Sequence, residues 1–554
     1  MPVGVNPCVP ATFPVMPLSP LALDPLRRAR YSEGAGIYRI IPSAVARPTS
    51  LAELRAVIAD ARQAGWSLTP RGAGSAMDGG NLGEGVVVDL TAFESGRCVV
   101  SPQDRSARLA PSVPLVQLQA LAKREGLRLP PDPASGAWAT LGGMVSTNAS
   151  GARSVRYGSV RRWVRELTLE TVDGPLRFVR GTPPDLGHPV MLRWYATVAP
   201  LLARSADEIR SAFPKVRKNS AGYALDQLLT SGDLIDVVIG AEGTLGVITD
   251  VVVQLDPIPA HRASLRVALR ARGDLVAVLE VIRELDPSTL EFLDASFLRL
   301  VHNRVPTPEH PGLLLESAGL LLVDIEGDDE AGVAARAAAV AAAVAPSALD
   351  VQTALEVGTS DRLWAVRHSA SPILAGLTDG RRSLQVIEDG CVPPARLAEY
   401  LDAIDLATSR QRIDAVLFGH AGDGHIHVNL LPNLLEADWT ERVRAIFQEV
   451  TAAVIRLGGT TSGEHGTGRL RAGTLPPLYG ETVMTVFRAI KEAFDPEGLW
   501  NPGVILADGS DPIRQLKVGV DAVALPEGVA QQLRAIETGA TWAASRWMPV
   551  GRTA

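Results

Sequence analysis

The chain has 554 residues, of which 46% are hydrophobic and 21% charged, with a formal net charge of -7 and a pI near 5.8. This length exceeds one ordinary core and predicts at least two domains. The acidic balance argues against nucleic acid as a partner, because phosphate backbones bind to a concentrated basic surface.

The three cysteines, Cys8, Cys98 and Cys391, lie far apart and form no C-x-x-C pair. They argue against a disulfide framework, a cysteine zinc site and an iron–sulfur cluster, and they favour a reducing cytoplasm. Repeated prolines in residues 1–40 interrupt any apolar run of the kind found in a secretory signal. We expect this segment to form an arm over the surface.

Regular structure is predicted to begin at "PTSLAELRAVIADARQAG". Ser50 followed by Glu53 fits a capping box, and Gly65 is placed to end the helix. Strand-like runs follow in "EGVVVDL", "LIDVVIG" and "GVITDVVVQL". Helices and strands mix without a regular βα repeat, which favours an α+β fold over a doubly wound sheet. We assign residues 41–258 to this first domain.

The stretch "LDPIPA", residues 255–260, is interpreted as a linker to a second α+β unit of ferredoxin-like type, residues 259–511. Its predicted elements are the strands "ASLRVAL" and "LLLVDIEG" and the helices "DLVAVLEVIREL" and Ala331–Ala345. Arg336 interrupts the last of these, and its apolar part falls short of the ~20 residues of a membrane span. A long helix, "TERVRAIFQEVTAAVIRLGG", then leads to "TSGEHGTG". Residues 512–554 form a C-terminal extension.

The segment "GHAGDGHIHVN", residues 419–429, predicts a metal site. Its Asp-Gly between strand-like runs signals a hairpin, whose period of two places His420, His425, His427 and Asn429 on one face. His420 and His427 would then be roughly 7 Å apart at Cβ or closer. The alternative is a set of scattered polar residues on a hydrated face, and His425 is the member best suited to a structural role.

A carboxylate could complete this site, and "SGEHGTG" supplies Glu464 beside His465 in a glycine-rich loop. Two histidines and a glutamate with open positions are a catalytic arrangement rather than a structural one. Adjacent loop residues can point in different directions. Glu464 could therefore bind the ion while His465 stays free as a base.

The glycine-rich segment "PRGAGSAMDGG", residues 70–80, follows a short strand and suits a loop whose backbone N–H groups approach a pyrophosphate. It is neither a Walker loop nor G-x-G-x-x-G, because Met77 stands where the third glycine belongs. Taken alone, the segment is compatible with a phosphate cradle or with a plain loop.

Four segments in order, "PRGAGS", "PPDPASGAWATLGGMVSTNASGARSVRYG", "KNSAGYALDQLL" and "IGAEGTLGVITDV", resemble the flavin domain of the vanillyl-alcohol oxidase/PCMH superfamily. With "GHAGDGHIHVN", "SGEHGTG" and "FDPEGLWNPGVIL", the chain from about residue 38 to 507 resembles the FAD-linked D-2-hydroxy-acid dehydrogenases. D-lactate dehydrogenases, glycolate oxidase flavin subunits and D-2-hydroxyglutarate dehydrogenases belong to that family. The resemblance implies a PCMH-type FAD-binding domain of two α+β subdomains plus a substrate domain whose end returns to the flavin.

The resemblance also implies which residues contact FAD. Because the first loop lacks the histidine that attaches flavin in some members, we expect non-covalent FAD; Ser75-Ala76 departs from the family's usual Thr-Ser. The implied contacts are Arg71, Gly72, Ala73, Gly74, Ser75, Pro131, Ser135, Thr140, Gly142, Gly143, Asn148, Gly151, Tyr157, Glu242, Gly243, Gly246, Val247 and Asn501.

For the chemistry, the resemblance implies a divalent ion on His420, His427 and Glu464, with zinc first and manganese or iron as alternatives. His465 would be the base that removes the substrate hydroxyl proton while hydride passes from C2 to flavin N5. The implied substrate contacts are Arg367 in "DRLWAVRHSAS", which would bind the carboxylate, Ser371 and Asn429. The expected reaction is oxidation of a D-lactate-like 2-hydroxy acid to its 2-keto acid.

Ile387 stands where the hydroxyglutarate enzymes carry a lysine, which disfavours a dicarboxylate, although Arg381 and Arg382 lie close in sequence. The alternatives are a flavoenzyme of the same fold acting on another alcohol or in alkyl transfer, and a flavin subunit that needs a partner for turnover. A cofactor-free metallohydrolase ranks last. Quinone, cytochrome, electron-transferring flavoprotein and oxygen are all compatible acceptors. We expect a homo-oligomer in the cytoplasm without a transmembrane segment, with peripheral contact at the inner face of the membrane as an option.

Overall fold

The computed structural model describes residues 21–302, 312–368, 373–374, 377, 379–539 and 546–547. Helices and strands are mixed throughout, and the sheets have three, two, five and seven strands. The predicted α+β class is therefore confirmed. Within the described ranges, no helix combines the length and the apolar character needed to cross a bilayer.

The smallest of the three larger sheets is parallel and carries the glycine-rich loop at the end of one strand. Helix Leu51–Ala64 packs on it and confirms the predicted element: Ser50 Oγ accepts from the Glu53 amide, and Gly65 ends the helix at φ +67°. The strands, in sheet order, are Ala44–Ala46, Val86–Asp89 and Leu68–Arg71.

A five-stranded antiparallel sheet forms the second part of the N-terminal half. Helix Leu475–Phe494, which lies far away in sequence, completes its core through Phe487 against Tyr223 and Phe494 against Trp194. The strands, in order, are Cys98–Ser101, Ser106–Leu109, Val247–Gln254, Val164–Thr171 and Gly174–Val179. The helices are Leu115–Lys123, Leu141–Thr147, Ser154–Tyr157, Pro189–Arg193, Ala199–Ala212, Leu225–Ser231 and Ile235–Val238, with a π-helical turn at Trp194–Val198.

The predicted strand in "LIDVVIG" is wrong, because residues Ile235–Val238 form one turn of helix. All four residues are buried, so the run lacks the alternation that separates a strand from a buried helix. Asp236 is fixed in this turn by ion pairs to Arg161 and Arg180. Ion pairs with distant arginines thus accompany the helical turn.

The seven-stranded antiparallel sheet confirms the predicted strands and helices of the C-terminal half. Helices Leu275–Glu284, Glu330–Val344, Leu397–Gln411 and Trp439–Arg456 cover one face. Helices Ala295–Val301 and Val357–His368 pack on the other, and a short helix spans Leu313–Glu316. The strands, in order, are Ala348–Ala354, His261–Leu269, Gly319–Gly327, Thr289–Asp294, Asp414–Gly419, His425–Leu431 and Gly390–Cys391.

Residues at both ends of the described chain form regular structure and pack against the rest of the protein. Residues Pro25–Arg30 are helical, and Tyr31, Ile37 and Ile40 are buried, so this part of the expected arm is integrated into the core. The stretch expected to be a linker pairs at Asp256–Pro257 with Leu127–Arg128. A final helix occupies Glu527–Gly539 in the extension.

Candidate active site

A single cavity of about 1270 Å³ connects the glycine-rich loop with the histidine hairpin. Its walls come from both halves of the chain: the loop of residues 71–78, the segment of residues 132–153, and the faces of the seven-stranded sheet that carry Glu291 and His427. The volume exceeds the roughly 300–1,000 Å³ of drug-sized pockets. There is room for a dinucleotide and a small substrate together.

Most of the implied FAD contacts line this cavity. Gly74 has φ +80°, a left-handed conformation that favours glycine, and a Cβ at this position would lie 2.3 Å from Arg71 Nη2. The cradle therefore fits a phosphate-bearing cofactor. The implied contacts that line the cavity are Arg71, Gly72, Ala73, Gly74, Ser75, Ser135, Thr140, Gly142, Gly143, Glu242, Gly243 and Gly246.

The remaining implied FAD contacts do not line the cavity. They are Pro131, Asn148, Gly151, Tyr157, Val247 and Asn501. Several of them form hydrogen bonds with other residues. Asn501 Nδ2 donates to the carbonyls of Gly80 and Glu242, both at 2.8 Å. Tyr157 Oη donates to Glu326 at 2.8 Å, and Asn148 Oδ1 accepts from the Arg161 amide at 3.3 Å. Arg71, although it lines the cavity, donates at 2.7 Å to the Glu33 carbonyl behind the loop.

The predicted hairpin is confirmed. Phe418 lies opposite His427 and Val416 opposite Asn429, and the same register places His420 opposite His425. The His425 amide donates to the His420 carbonyl at 3.3 Å and closes the turn. The alternation of the strand therefore brings His425, His427 and Asn429 to one face, while Ile426 and Val428 belong to the apolar core.

Three ligand atoms converge at this face. His420 Nε2 lies 3.1 Å from Glu464 Oε1, His427 Nε2 lies 3.4 Å from the same oxygen, and the two Nε2 atoms are 3.4 Å apart. His427 Nδ1 faces the Glu388 carbonyl at 2.9 Å, and His420 Nδ1 faces the Glu291 carboxylate. Each ring is thus held by an acceptor on Nδ1, which turns its Nε2 toward the common point.

A positive charge is required at this point, because lone pairs converge there. Burial opposes a charged His420, but the Glu291 carboxylate outweighs it and raises the pKa of His420 to about 9. The surroundings therefore favour a proton or a metal cation among the three atoms. Two histidines, a carboxylate and an open cavity on the remaining side fit a divalent ion of the catalytic kind.

Glu464 is held from the first half of the chain. Its Oε2 accepts from Ser150 Oγ at 2.7 Å, from the Gly151 amide at 3.0 Å and from Lys218 Nζ at 2.8 Å. Burial alone would raise its pKa, yet Lys218 and His420 hold the pKa of Glu464 well below its usual range. Its Oε1 is therefore presented to the histidines as an anionic oxygen.

His425 lies in the same cluster, and its ring nitrogens face other protein groups. Its Nε2 faces Asp389 Oδ1 at 2.9 Å, and its Nδ1 lies 3.4 Å from Lys218 Nζ. Burial, and then the Lys218 charge, lower the pKa of His425 to about 4. A neutral ring that donates to Asp389 and accepts from Lys218 has both nitrogens engaged and leaves none for a metal ion.

His465 lies on the cavity wall beside these ligands. Its Nδ1 faces Glu388 Oε2 at 2.5 Å, its amide donates to Asp389 at 3.0 Å, and its ring stacks on His427 with centroids 5.2 Å apart. Burial opposes charge, but Glu388 and Asp389 raise the pKa of His465 to about 10. Its Nε2 lies 3.7 Å from Glu464 Oε1. A divalent ion at the neighbouring ligands would act in the opposite direction and favour the neutral ring.

Arg367 lines the same cavity from helix Val357–His368. Its Nε donates to Glu291 Oε2 at 2.9 Å, and its guanidinium lies 4.5 Å from the Phe418 ring centroid. Glu291 thus contacts both Arg367 and His420. Asn429 also lines the cavity, where its Oδ1 accepts from Ser383 Oγ at 3.1 Å. Ser371 lies outside the described residues.

Arg381 and Arg382, which lie close in sequence to Ile387, have different positions in the structure. Ile387 is buried in the apolar core of the seven-stranded sheet. Arg381 pairs with Asp379 and Asp414 at the surface, whereas Arg382 lines the cavity. Of the two arginines, Arg382 is the one placed to meet a second anionic group.

The sequence alone did not identify four residues of the site: Glu291, Glu388, Asp389 and Lys218. Glu291 and Asp389 are fully buried, and Glu388 is 2% exposed. The acidic pair in "IEDG" and the lysine in "RKNS" carry no motif that predicts a partner. A charged residue inside an otherwise apolar strand, as in "TLEFLD", is a usable signal, since such residues are rarely buried without a partner.

Comparison with known families agrees with this geometry. A profile described as FAD binding domain matches residues 42–179, and one described as FAD linked oxidases, C-terminal domain, matches residues 258–505. The second match contains the hairpin and "SGEHGTG". The implied FAD-binding domain is therefore confirmed.

Curated relatives are similar over most of this chain. The D-lactate dehydrogenase of Archaeoglobus fulgidus is 30% identical over 465 residues, which cover 83% of this chain and 91% of that protein. The glycolate oxidase subunit GlcD of Bacillus subtilis is 29% identical, covering 85% and 90%. The D-2-hydroxyglutarate dehydrogenase of Escherichia coli is 27% identical over 92% of this chain but 53% of its own length, so the chain spans about half of that relative.

Solved structures share the fold. An alkyldihydroxyacetonephosphate synthase aligns with a TM-score of 0.61 at 16% identity, covering 90% of this chain and 86% of that one. A p-cresol methylhydroxylase aligns with a TM-score of 0.62 at 15% identity, covering 89% and 95%. These identities support the PCMH-type fold and carry no inference about substrate. From its sequence matches and its fold together, the chain belongs to the FAD-linked oxidase family, as the resemblance implied.

Proposed function

We propose that the protein oxidises a D-2-hydroxy acid to the 2-keto acid, with FAD and a divalent cation as cofactors. The observation that carries the proposal is the convergence of His420 Nε2, His427 Nε2 and Glu464 Oε1 in the same cavity as the glycine-rich loop. When bound, FAD accepts hydride and the cation acts as a Lewis acid toward the substrate oxygen. The names of the relatives supply the class of substrate.

The protein's side chains have distinct tasks in this proposal. Arg367 binds the substrate carboxylate, because a guanidinium forms two parallel charge-assisted hydrogen bonds with such a group. His465, held at Nδ1 by Glu388, presents Nε2 to take the hydroxyl proton. Asn429 donates to the substrate from the sheet face. Glu291 holds Arg367 and His420 in position at once.

The substrate we favour is a small monocarboxylate of the D-lactate type, because no lysine stands at Ile387. A dicarboxylate is the second candidate, and the position of Arg382 in the cavity wall supports it. For the metal we propose zinc, with manganese or iron as the alternatives. The electron acceptor is proposed to be external to the site: a quinone, a cytochrome, an electron-transferring flavoprotein or oxygen.

The test is anaerobic bleaching of the flavin band near 450 nm by a panel of D- and L-2-hydroxy acids, before and after treatment with EDTA. We expect one or more D-acids to bleach the flavin, EDTA to abolish the reaction, and zinc or manganese to restore it. A flavoprotein that no hydroxy acid reduces would contradict the proposed substrate. Reduction by a D-acid that survives removal of all metal would contradict the metal's role while leaving the proposed substrate class intact.

Replacement of the candidate carboxylate-binding arginine gives a separate prediction. Arg367→Met removes charge-assisted hydrogen bonds worth ~1.5–3 kcal/mol, so KM for the hydroxy acid should rise about 10- to 150-fold. Steady-state kinetics with the best D-acid measure this change. Arg362→Met, on the exposed side of the same helix, is the matched control and should leave KM unchanged. Equal KM values for both variants would remove Arg367 from substrate binding.

A further inference from the structure

The C-terminal extension runs along the wall of the cofactor cavity, beyond the region matched by the family profiles, which ends at residue 505. The Lys517 amide donates to the Ile37 carbonyl at 2.8 Å, and the Arg39 amide donates to the Gln515 carbonyl at 2.7 Å. Tyr38 Oη donates to the Pro512 carbonyl at 2.7 Å. The extension is therefore bonded to the segment that lies against the glycine-rich loop, where the Ala35 amide donates to the Gly74 carbonyl at 3.0 Å.

Helix Glu527–Gly539 of the extension has one apolar face and one face that lines the cavity. Its apolar face, Val529, Leu533 and Ile536, packs on Ala29. Its other face follows helical spacing along the cavity wall. The residues that line the cavity from this face are Glu527, Ala530, Gln531, Arg534, Glu537 and Thr538.

Basic residues of the extension meet the cavity near the glycine-rich loop. Lys517 lines the cavity and pairs with Glu537 at 2.6 Å, which ties this end of the helix to the loop side. Arg546 is buried against Gly74: a Cβ on Gly74 would lie 2.8 Å from Arg546 Nη1. Two guanidinium groups, those of Arg71 and Arg546, therefore lie at the same glycine.

Acidic groups lie near the two arginines at this glycine, and Asp89 and Glu33 interact with both. Burial, and then the charge of Arg546, lower the pKa of Arg71 to about 9, while Tyr31, Asp89 and Glu33 act in the opposite direction. The nearby carboxylate of Asp89 already accepts from Tyr31 Oη and lies 3.5 Å from Arg47. An anion bound at the loop would interact favourably with both guanidinium groups, and the diphosphate of a dinucleotide carries such a charge.

We propose that the C-terminal extension is part of the FAD site, with Arg534 and Arg546 providing positive charge at the diphosphate half of the cofactor. The inference rests on FAD binding by this family and is independent of which substrate is oxidised. It assigns a task to a segment that the family profiles leave out. The ligand group recognised is a diphosphate, rather than the isoalloxazine ring.

The test measures the dissociation constant of FAD for Arg534→Ala and Arg546→Ala, by flavin absorbance after gel filtration and by fluorescence titration of the apoprotein. Loss of one charge-assisted contact should raise the Kd for FAD about tenfold. Arg514→Ala, an exposed arginine of the same extension, is the control and should retain FAD as the unaltered protein does. Arg534→Lys should recover part of the affinity.

Riboflavin, which lacks phosphate, tests whether Arg534 acts through the diphosphate charge. The affinity of Arg534→Ala for riboflavin should equal that of the unaltered protein. Equal FAD affinity in Arg534→Ala and Arg514→Ala, or an equal loss for riboflavin, would overturn the proposal. If Arg546→Ala does not fold, as judged by circular dichroism, the exposed Arg534 decides the outcome alone. A protein that binds FAD normally but oxidises no hydroxy acid would leave this inference intact while contradicting the proposed reaction.

Discussion

His465→Ala should slow reduction of the bound flavin by about 10²- to 10⁴-fold, the range that a positioned general base contributes. The reason is the position of His465 on the cavity wall, where Glu388 holds Nδ1 and leaves Nε2 available for the hydroxyl proton. Rapid mixing of the oxidised protein with a D-acid under anaerobic conditions measures the first-order rate. Bound FAD and metal content should stay at the level of the unaltered protein, because His465 is proposed to hold neither.

His261→Gln provides the comparison for this experiment, since this histidine begins the second strand of the seven-stranded sheet and does not line the cavity. Its reduction rate should match that of the unaltered protein. An undiminished rate in His465→Ala would exclude the residue as the base. A lowered metal content in His465→Ala would instead identify it as a ligand.

His427→Gln is expected to abolish metal binding and with it the reaction. The variant removes one of three converging ligand atoms, so affinity should fall by more than the roughly 10- to 100-fold seen for outer-shell partners. Elemental analysis of the purified protein and competition with a chelating dye measure the affinity, and the absorbance of bound FAD serves as the internal control. Full metal content in His427→Gln would contradict the proposed ligand set.

Much of the fold and site could be predicted because local patterns determine them. The period of two in "GHIHVN" places the histidines on one face, and the hairpin register bears this out. The cap at Ser50 and the end at Gly65 fix helix Leu51–Ala64. The glycine-rich segment alone left a phosphate cradle and a plain loop both open, and the family resemblance supplied its expected role.

The remaining site residues could not be predicted because their partners are distant in sequence. Glu291 and His420 are 129 positions apart in sequence, and Lys218 and Glu464 are 246 apart. No local pattern encodes such pairings, which depend on how the sheets pack. The same limit explains the error at Ile235–Val238, where ion pairs from Asp236 to distant arginines accompany a helical turn in an apolar run.

The anchoring of Glu464 means that an ion bound as proposed would connect the two halves of the chain. One carboxylate oxygen is bonded to Ser150, Gly151 and Lys218, while the other faces histidines of the seven-stranded sheet. An ion bound there stabilises the docked arrangement by mass action, about 2.7 kcal/mol at a free concentration one hundred times Kd. Metal supply would thus affect the stability of the contact between the halves as well as turnover.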